Sequence, residues 1–439
     1  MIRSLKSSIT IFEDLSNEII YEIFEYLDFF HIYEAFYNLN IRFLKLLTYS
    51  TLPLKINIST ISKSTFQYYY TNIIIPNQHR IKLLRLLNPL IIKIIFFSPD
   101  IISHFTQLET LIFGNIQSKY LENLLCYLDT LPRLFSLTII HNDIVENFNN
   151  LCRQIFCLPM LKYCKLSLEG SLTFEPLLIS TNKGSSIEHL VITNTFHLDQ
   201  LNALLSYVPH LRRFSLHDLH RSRNQETQTC SIKLNNLTHM DLKTTITFDE
   251  LELTMIKNFF HQVQVLYIST NSDIAYLDAN RWKRLILSYI PQLRIFDFQH
   301  RNMIENSNNN NYDNMINRFY SSFWYEHKWF FVHHFYKKQN VNEIIFYSIN
   351  PYRRKEYTLY EQLNTNIPSY LHKNDVNSVD HVNIHGEKAT KNCLSYFSKA
   401  MKLTLSHSFA ESRIWLGLIL NHIVPLKQLT TLIIDCGDF

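Results

Sequence analysis

Apolar residues recur along this chain in the arrangement L-x-x-L-x-L, in eight copies whose first residues lie 24–30 residues apart. The last two apolar positions of each copy are two residues apart, so both side chains point to one side of a short strand. Between the copies, stretches such as 121–128 and 198–208 carry apolar residues at the spacing of a helix with one apolar face. The copies are Leu108/Leu111/Phe113, Leu134/Leu137/Ile139, Leu161/Cys164/Leu166, Ile187/Leu190/Ile192, Leu211/Phe214/Leu216, Leu237/Met240/Leu242, Val263/Leu266/Ile268 and Leu293/Phe296/Phe298. The pattern predicts a repeating strand–helix α/β architecture.

Prolines mark where the predicted helices end. Pro132, Pro159, Pro209 and Pro291 each fall two residues before a strand motif begins. Proline lacks a backbone N–H and clashes with the preceding turn, so it cannot continue a helix. We therefore predict that these helices end at the same place in each repeat.

The motif continues outside the regular region. Upstream, Ile91/Ile94/Phe96 is predicted to be a degenerate first repeat. The Asn-rich stretch 307–314 favours turns and solvated loops, and it predicts an internal boundary. Beyond it the motif reappears at Val341/Ile344/Phe346, Val379/Val382/Ile384, Ala400/Leu403/Leu405 and Leu429/Leu432/Ile434. The repeats are therefore expected to extend into the C-terminal region.

The segment 318–338 combines ten aromatic residues with four basic ones. Aromatic rings interleaved with cations are able to stack nucleotides and hold their phosphates. The prominence and spacing of phenylalanine favour a different interpretation, in which one or two buried helices brace the repeats. We therefore predict one or two buried helices in this segment.

The strand motif and its period resemble leucine-rich repeats. The resemblance implies a solenoid whose strands line a concave binding surface. The chain departs from the family eight residues after the first apolar residue of each motif, where only Asn142 and Asn271 supply the usual Asn or Cys, so we expect an irregular solenoid. The residues that alternate with the buried positions in the middle repeats are polar or aromatic, and we expect them to bind a protein substrate: Tyr163, Lys165, His189, Arg213, His239 and Asp241. The alternative is that they are only solvated sheet residues.

The first forty residues predict a small helical module. Ile19, Ile23 and Leu27 recur at helical spacing, and Ser16 is placed to cap the first helix. Asp28 is a similar cap for a second helix. A module of this size buries too little apolar surface to be stable without support from its surroundings.

The same residues resemble an F-box. The match covers Leu15, Glu18, Ile19, Ile23, Phe24, Tyr26 and Leu27, followed by Ala35-Phe36 and Ile41-Arg42-Phe43. The chain departs from the family at Ser16, where Pro is usual, at Phe43, where Trp is common, and at Leu39-Asn40, where a Val-Cys pair is frequent. The resemblance implies docking on a Skp-type adaptor that leads to a cullin. It assigns adaptor binding to Leu15, Ile19, Ile23, Phe24 and Leu27, each facing either the adaptor or the core of the module. The alternative is an ordinary helical hairpin packed on the next domain.

Together these patterns divide the chain into five segments. We predict an F-box-like helical module at 10–50, a linker with a degenerate first repeat at 51–105, the leucine-rich-repeat-like solenoid at 106–300, an Asn-rich loop with an aromatic insertion at 301–340, and irregular repeats at 341–439. The fold class is α/β.

Composition excludes several functions. Six glycines among 439 residues leave no glycine-rich loop for a nucleotide phosphate, and no G-x-S-x-G elbow is present, so we assign no catalytic residues and no cofactor. A net charge of +4 is too small to attract nucleic acid or a membrane by charge alone. No apolar stretch reads as a signal peptide or a membrane span.

Cysteine and histidine spacing give no metal site. The seven cysteines form no C-x-x-C pair, which argues against a disulfide framework and favours a reducing compartment, the cytoplasm or the nucleus. His327, His333 and His334 form the closest histidine group but lack zinc-ligand spacing.

The sequence thus predicts a non-catalytic substrate receptor of a Skp–cullin–F-box ubiquitin ligase. The alternative is a repeat scaffold that binds a protein or RNA without ubiquitin chemistry. The target protein, regulatory modifications and oligomeric state are not encoded in recognisable motifs.

Overall fold

The chain is a mixed α/β protein with mostly parallel sheets, seen here in a computed structural model. The structure describes residues 12–48, 53–58, 62–96, 102–116, 118–141, 148–168, 179, 184–221, 233–304, 309–338, 341–348, 355–360, 379–391, 393, 396–406 and 416–435. The chain forms two compact units. The first contains residues 1–195 and 203–210, and the second contains 196–202 and 211–439.

Six parallel strands form the sheet of the first unit. Each strand pairs in parallel with the next one along the chain, and the apolar motif positions meet in register. One such row joins Leu84, Leu111, Leu137, Cys164 and Leu190, all with no exposed surface. The strands are β1 (Leu54–Ile58), β2 (Ile81–Leu86), β3 (Thr110–Gly114), β4 (Ser136–His141), β5 (Tyr163–Leu168) and β6 (His189–Ile192). The strands β3 to β6 confirm the four regular motifs predicted for this unit, whereas β1 and β2 were not predicted.

Helices lie between several of these strands, and the ends of two of them follow the prolines as predicted. The helix Ser118–Leu128 ends before Pro132, and Phe148–Phe156 ends before Pro159. The other helical segments of this unit are α1 (Asn17–Tyr26), α2 (Phe29–Phe36), α3 (Ile41–Thr48), Lys63–Tyr69, Tyr70–Ile74, Ile75–Asn77 and Pro89–Phe96. The helix Leu201–Tyr207 contains a boundary between the two units.

The expected degenerate first repeat at Ile91/Ile94/Phe96 is wrong. Those residues belong to the helix Pro89–Phe96, whose buried positions follow a helical period, and the strand that pairs with β3 on this side is β2. Residues 51–105 are therefore not only a linker, because they contain the paired strands β1 and β2. Pro89 at the first helical position suits a helix start and excludes a strand there.

The N-terminal helices form because local caps and a small aromatic core support them. The Ser16 hydroxyl accepts from the Ile19 N–H and the Asp28 carboxylate from the Phe30 N–H, as predicted. Phe36 is the centre of the core, with its ring 5.3 Å from that of Phe24 and 5.1 Å from that of Phe43. Three short helices are thereby tied together by aromatic packing.

The second unit begins with five parallel strands. The four longer strands pair in parallel in chain order, and the predicted motifs at Phe214, Met240, Leu266 and Phe296 lie in them. They are β7 (Phe196–His197), β8 (Arg213–His220), β9 (His239–Thr244), β10 (Val265–Asn271) and β11 (Ile295–Ile304). Helical segments lie between and after them: Phe248–Leu251, Glu252–Ile256, Lys257–Phe259, Ala279–Tyr289, Asn309–Asn317 and Ser322–Glu326.

An antiparallel pair then ends the parallel run. Strand β12 (Phe331–Lys338) pairs antiparallel with β13 (Val341–Ser348), and β13 pairs antiparallel with β11. The motif at Val341 therefore does not continue a parallel repeat, which corrects the expectation. Two adjacent strands joined without a helix can pair only antiparallel.

The aromatic segment 318–338 is half helix and half strand. The short helix Ser322–Glu326 agrees with the prediction, but residues 331–338 form β12 instead of a helix. Trp324 and Phe331 are buried, with their ring centres 5.5 Å apart and each about 6 Å from that of Phe296. The expected bracing role is confirmed for these rings, although half of the segment braces the sheet as a strand.

The Asn-rich stretch is helical where it is described. Residues 309–317 form a helix, so the expected loop at 307–314 is wrong for its described part. Tyr312 and Ile316, four residues apart, are both buried and give this polar helix an apolar contact line.

Four parallel strands form a second sheet. They are β14 (Glu356–Tyr360), β15 (His381–His385), β16 (Lys402–Ser406) and β17 (Thr431–Asp435). The last three carry predicted motifs, whereas β14 was not predicted. The helices Lys388–Lys391 and Leu416–Asn421 lie between them. All five residues of β17 are exposed.

His300 is a buried polar residue in β11. It has no exposed surface, its Nδ1 lies 2.9 Å from the Thr270 hydroxyl, and its Nε2 has no hydrogen-bond partner among the described residues. Burial lowers the pKa of His300 from 6.5 to about 4. The imidazole therefore stays neutral in the folded protein at neutral pH.

We expect the second unit to lose stability as the pH falls from 7 towards 4. The unfolded chain protonates His300 near its ordinary pKa of about 6.5, before the folded chain does, so acid favours unfolding by about 2 kcal/mol between pH 7 and pH 5. All four tryptophans belong to the second unit, so tryptophan fluorescence during urea unfolding reports on it. A His300→Gln variant should lose most of this pH dependence. An unchanged dependence would contradict the assignment.

Candidate functional site

Helix α1 presents two different apolar faces. Ile20 and Phe24 are buried in the module, with exposed fractions of 0% and 7%. Ile19, Ile23 and Tyr26 lie together on a neighbouring face because they are four and three residues apart on the helix. Ile19 is 45% exposed and Tyr26 is 89% exposed. A helix of ten residues thus carries a buried face and an exposed apolar face next to it.

The five predicted adaptor-binding residues divide between core and surface. Phe24 is buried and packs on Phe36, so it belongs to the module core. Ile19 and Leu27 each expose 45% of their surface, and Leu15 and Ile23 are half-buried. The sequence could not separate core residues from surface residues here, because the same helical spacing fits the buried face and the exposed face of α1.

Three exposed apolar residues were not assigned to adaptor binding from the sequence. They are Tyr26, Leu39, which is 49% exposed, and Ile41, which is 72% exposed. The helical spacing from Ile19 through Ile23 was the available signal for Tyr26. Leu39 and Ile41 flank the start of α3, where no periodicity distinguishes surface from core.

Arg42 connects the beginning of the module to α3. Its guanidinium donates to the carbonyl oxygens of Glu13 and Leu15, the latter at 2.5 Å, and to the Asn17 side-chain oxygen at 2.9 and 2.7 Å. One side chain therefore satisfies two backbone carbonyls and the first residue of α1. Charge-assisted hydrogen bonds of this kind are stronger than neutral ones.

Arg80 connects the helices to the sheet of the first unit. It is buried beside β2 and donates to the Leu47 carbonyl oxygen at 2.7 Å, while its guanidinium lies 5.9 Å from the centre of the Phe29 ring. These residues line a cavity of about 550 Å³ between α2 and the segment 72–80. The helices that carry the exposed apolar face are thus fixed to the first strands.

Three of the predicted substrate-binding residues lie on the solvent side of the first unit's sheet. Tyr163 and His189 face each other across β5 and β6, with their rings 4.9 Å apart and nearly perpendicular. Lys165 lies two residues further along the same side of β5. Partial burial raises the pKa of the Tyr163 hydroxyl, so it remains a neutral hydrogen-bonding group. The structure brings these three together on one side of the sheet.

The other three predicted residues lie in the second unit. Arg213 and His239 are register partners in β8 and β9, and Asp241 follows on the same side of β9. Asp241 lies 3.3 Å from His217 Nε2. His217 was not among the predicted residues, although it alternates with the buried residues of β8. Half-exposed polar pairs of this kind suit recognition of a polar partner.

The acidic pair Asp249 and Glu250 has a structural role at the start of a helix. Glu250 completes a capping box with Thr247 at the start of Phe248–Leu251. Asp249 pairs with Arg281 at 2.6 Å, and the Arg281 guanidinium also lies 4.3 Å from the centre of the Phe248 ring. Their contacts are those of a helix start.

The described histidines and cysteines have structural surroundings. The described part of the chain contains no group of three or more His, Cys, Asp or Glu side chains arranged to hold a metal ion. His327 Nδ1 lies 2.7 Å from the Phe323 carbonyl oxygen. Burial raises the pKa of the Cys152 and Cys164 thiols, so both remain protonated. Among the helices that the structure describes, none is long and apolar enough to cross a membrane.

Comparison with known proteins finds no protein-family model and no curated protein that matches this chain.

Arg42→Ala should loosen the start of α1. Without the guanidinium, the carbonyls of Glu13 and Leu15 lose donors, and we expect backbone amides in 15–24 to exchange with deuterium roughly tenfold faster. Lys45→Ala on the same helix is the matched control, because Lys45 is exposed. Equal exchange in both variants would show that the Arg42 contacts do not stabilise α1.

Proposed function

We propose that this protein is the substrate-recognition subunit of a Skp–cullin–F-box ubiquitin ligase. The N-terminal helices would form the F-box and bind the adaptor. The strand–helix units would form an irregular leucine-rich-repeat-like solenoid that holds the target. The protein itself would carry no catalytic group.

The exposed apolar face of the N-terminal helices carries this proposal. Ile19, Tyr26, Leu27 and Ile41 leave between 45% and 89% of their surfaces open to solvent. Exposed apolar side chains concentrated within one small module are typical of protein-binding surfaces. The F-box resemblance of the same residues supplies the chemistry of the partner, an apolar surface on a Skp-type adaptor.

Contacts within the module support a rigid docking element. The Arg42 hydrogen bonds and the rings around Phe36 hold α1 against α3. An interface that is already ordered loses less conformational entropy on binding. Burial of the exposed apolar face can therefore stabilise the adaptor complex without the cost of first ordering the module.

Activity would arise from proximity. The adaptor would hold one end of the protein on the cullin, and the polar strand residues would hold the target. Ubiquitin transfer would then become effectively intramolecular, which raises the local concentration of the reacting groups. Tyr163, Lys165 and His189 in the first unit, and Arg213, His239 and Asp241 in the second, remain the proposed target contacts.

An Ile19→Asp, Leu27→Asp double variant should lose adaptor binding. Both residues are 45% exposed, so we expect the fold to persist, whereas two carboxylates in an apolar interface should weaken binding by roughly 100-fold. The measurement is the Kd of a purified Skp-type adaptor by calorimetry, followed by co-purification with cullin. Circular dichroism checks the fold.

The matched control is a Leu253→Asp, Leu287→Asp variant, which places the same charges at exposed leucines of the second unit. It should bind the adaptor as the intact chain does. If the intact chain binds no adaptor, or if the Ile19/Leu27 variant binds equally well, the ligase function is wrong and a scaffold function without ubiquitin chemistry takes its place.

A further inference from the structure

The strands of the first unit's sheet carry charged side chains of one sign only. Strands β1 to β6 contain lysine, arginine and histidine but no aspartate or glutamate within their bounds. On the side opposite the buried motif positions, Lys55, Arg85 and Lys165 supply the cationic groups. Hydroxyl groups surround them: Thr110, Ser136, Thr138, Tyr163 and Ser167.

Two of these cations are not used in ion pairs within the described chain. Arg85 is exposed and Lys165 is half-buried, and neither lies within 4.0 Å of a described carboxylate. By contrast, Lys82 at the start of β2 pairs with Glu109 at 3.0 Å, and Lys162 just before β5 pairs with Glu188 at 2.9 Å. The lysines at these strand starts are thus neutralised by partners, whereas Arg85 and Lys165 have no described carboxylate beside them.

Strand register sets the distance between these cations. Arg85, Ile112, Thr138 and Lys165 are consecutive register partners across β2 to β5. Three strand spacings separate Arg85 from Lys165, about 14 Å between their backbones. In an extended peptide that crosses the strands, side chains two residues apart share a side, about 6.7 Å from one another. Residues four apart therefore match the Arg85–Lys165 distance.

The residue midway along such a peptide would lie over Ile112 and Thr138. Ile112 is half-buried, so it offers an apolar contact between the two cations. Tyr163 and Ser136 lie one row away and can donate hydrogen bonds to the peptide backbone. The row thus has cationic ends and an apolar centre.

We propose that this side of the sheet binds an extended acidic segment of a protein, with acidic side chains four residues apart at Arg85 and Lys165 and an apolar residue between them. This inference rests on the proposed function, because the acidic segment would belong to the target of the ligase. The target would thus be a protein with an extended acidic segment.

The same surface is poorly suited to nucleic acid. Three cations on six strands are few for a polyanion, whose binding depends on many phosphate contacts. Beside the Arg85–Lys165 row, β5 offers one aromatic ring, that of Tyr163, whereas single-strand binders use several aromatic rings to stack successive bases. A protein segment with two charges fits the spacing better.

The test uses the full-length protein and a fluorescein-labelled peptide of serine and glycine with two glutamates four residues apart and a leucine midway. We expect measurable anisotropy binding at low salt, and at least a tenfold loss in an Arg85→Glu, Lys165→Glu variant. A peptide with glutamine in place of glutamate should bind at least tenfold more weakly. A Lys93→Glu, Arg153→Glu variant is the control, because it changes the net charge equally on exposed helical positions.

Three results would overturn the inference. They are no binding of the acidic peptide by the intact protein, equal loss in the control variant, and tighter binding of a uridine oligonucleotide with a steep salt dependence. Adaptor affinity measured on the same samples separates the two proposals. If the protein binds the peptide but no adaptor, the ligase function is wrong and the acidic-segment surface stands. If it binds the adaptor but not the peptide, the ligase function stands and the acidic-segment surface is wrong.

Discussion

The parallel register of the strands is the constraint on which the rest of the structure depends. When neighbouring parallel strands align residue for residue, the same motif position falls on the same side in every repeat. In the first unit this alignment puts Leu84, Leu111 and Leu137 in one buried row and leaves Arg85 and Lys165 in an exposed one. A shift of one residue would exchange the two rows. The apolar core and the cationic surface are therefore two results of one alignment.

Most elements of the repeats were predictable because their signals are local. The L-x-x-L-x-L motif has a strand period, the intervening stretches have a helical period, and proline ends the helices. Prediction failed where the signal is ambiguous or nonlocal. Ile81–Leu86 and Ile91–Phe96 both fit the motif, and only burial at neighbouring positions shows that the second is a helix. Strand direction at β13 depends on which strand lies beside it, which no period records.

The candidate surfaces show a similar division. Sequence patterns identified Tyr163, Lys165 and His189 because they alternate with buried residues. They did not separate Ile19 from Phe24, since both belong to one apolar helix and only the packing of Phe36 makes one of them core. Arg85 was missed because the strand that contains it was assigned to a linker. Exposed candidate residues were thus predictable only where the strand or helix that carries them was itself predicted correctly.

The antiparallel β12–β13 pair has a consequence for how this chain could change in length during evolution. A strand–helix unit inserted among parallel strands meets neighbours that run in its own direction, so duplication or loss there preserves every alignment. Beside β13, whose direction is reversed, an added unit of the same kind would face an opposed strand. Duplication that preserves strand alignment is therefore confined to the parallel runs on either side of the hairpin. Variation in repeat number among descendants of this sequence should occur between β2 and β11 or between β14 and β17.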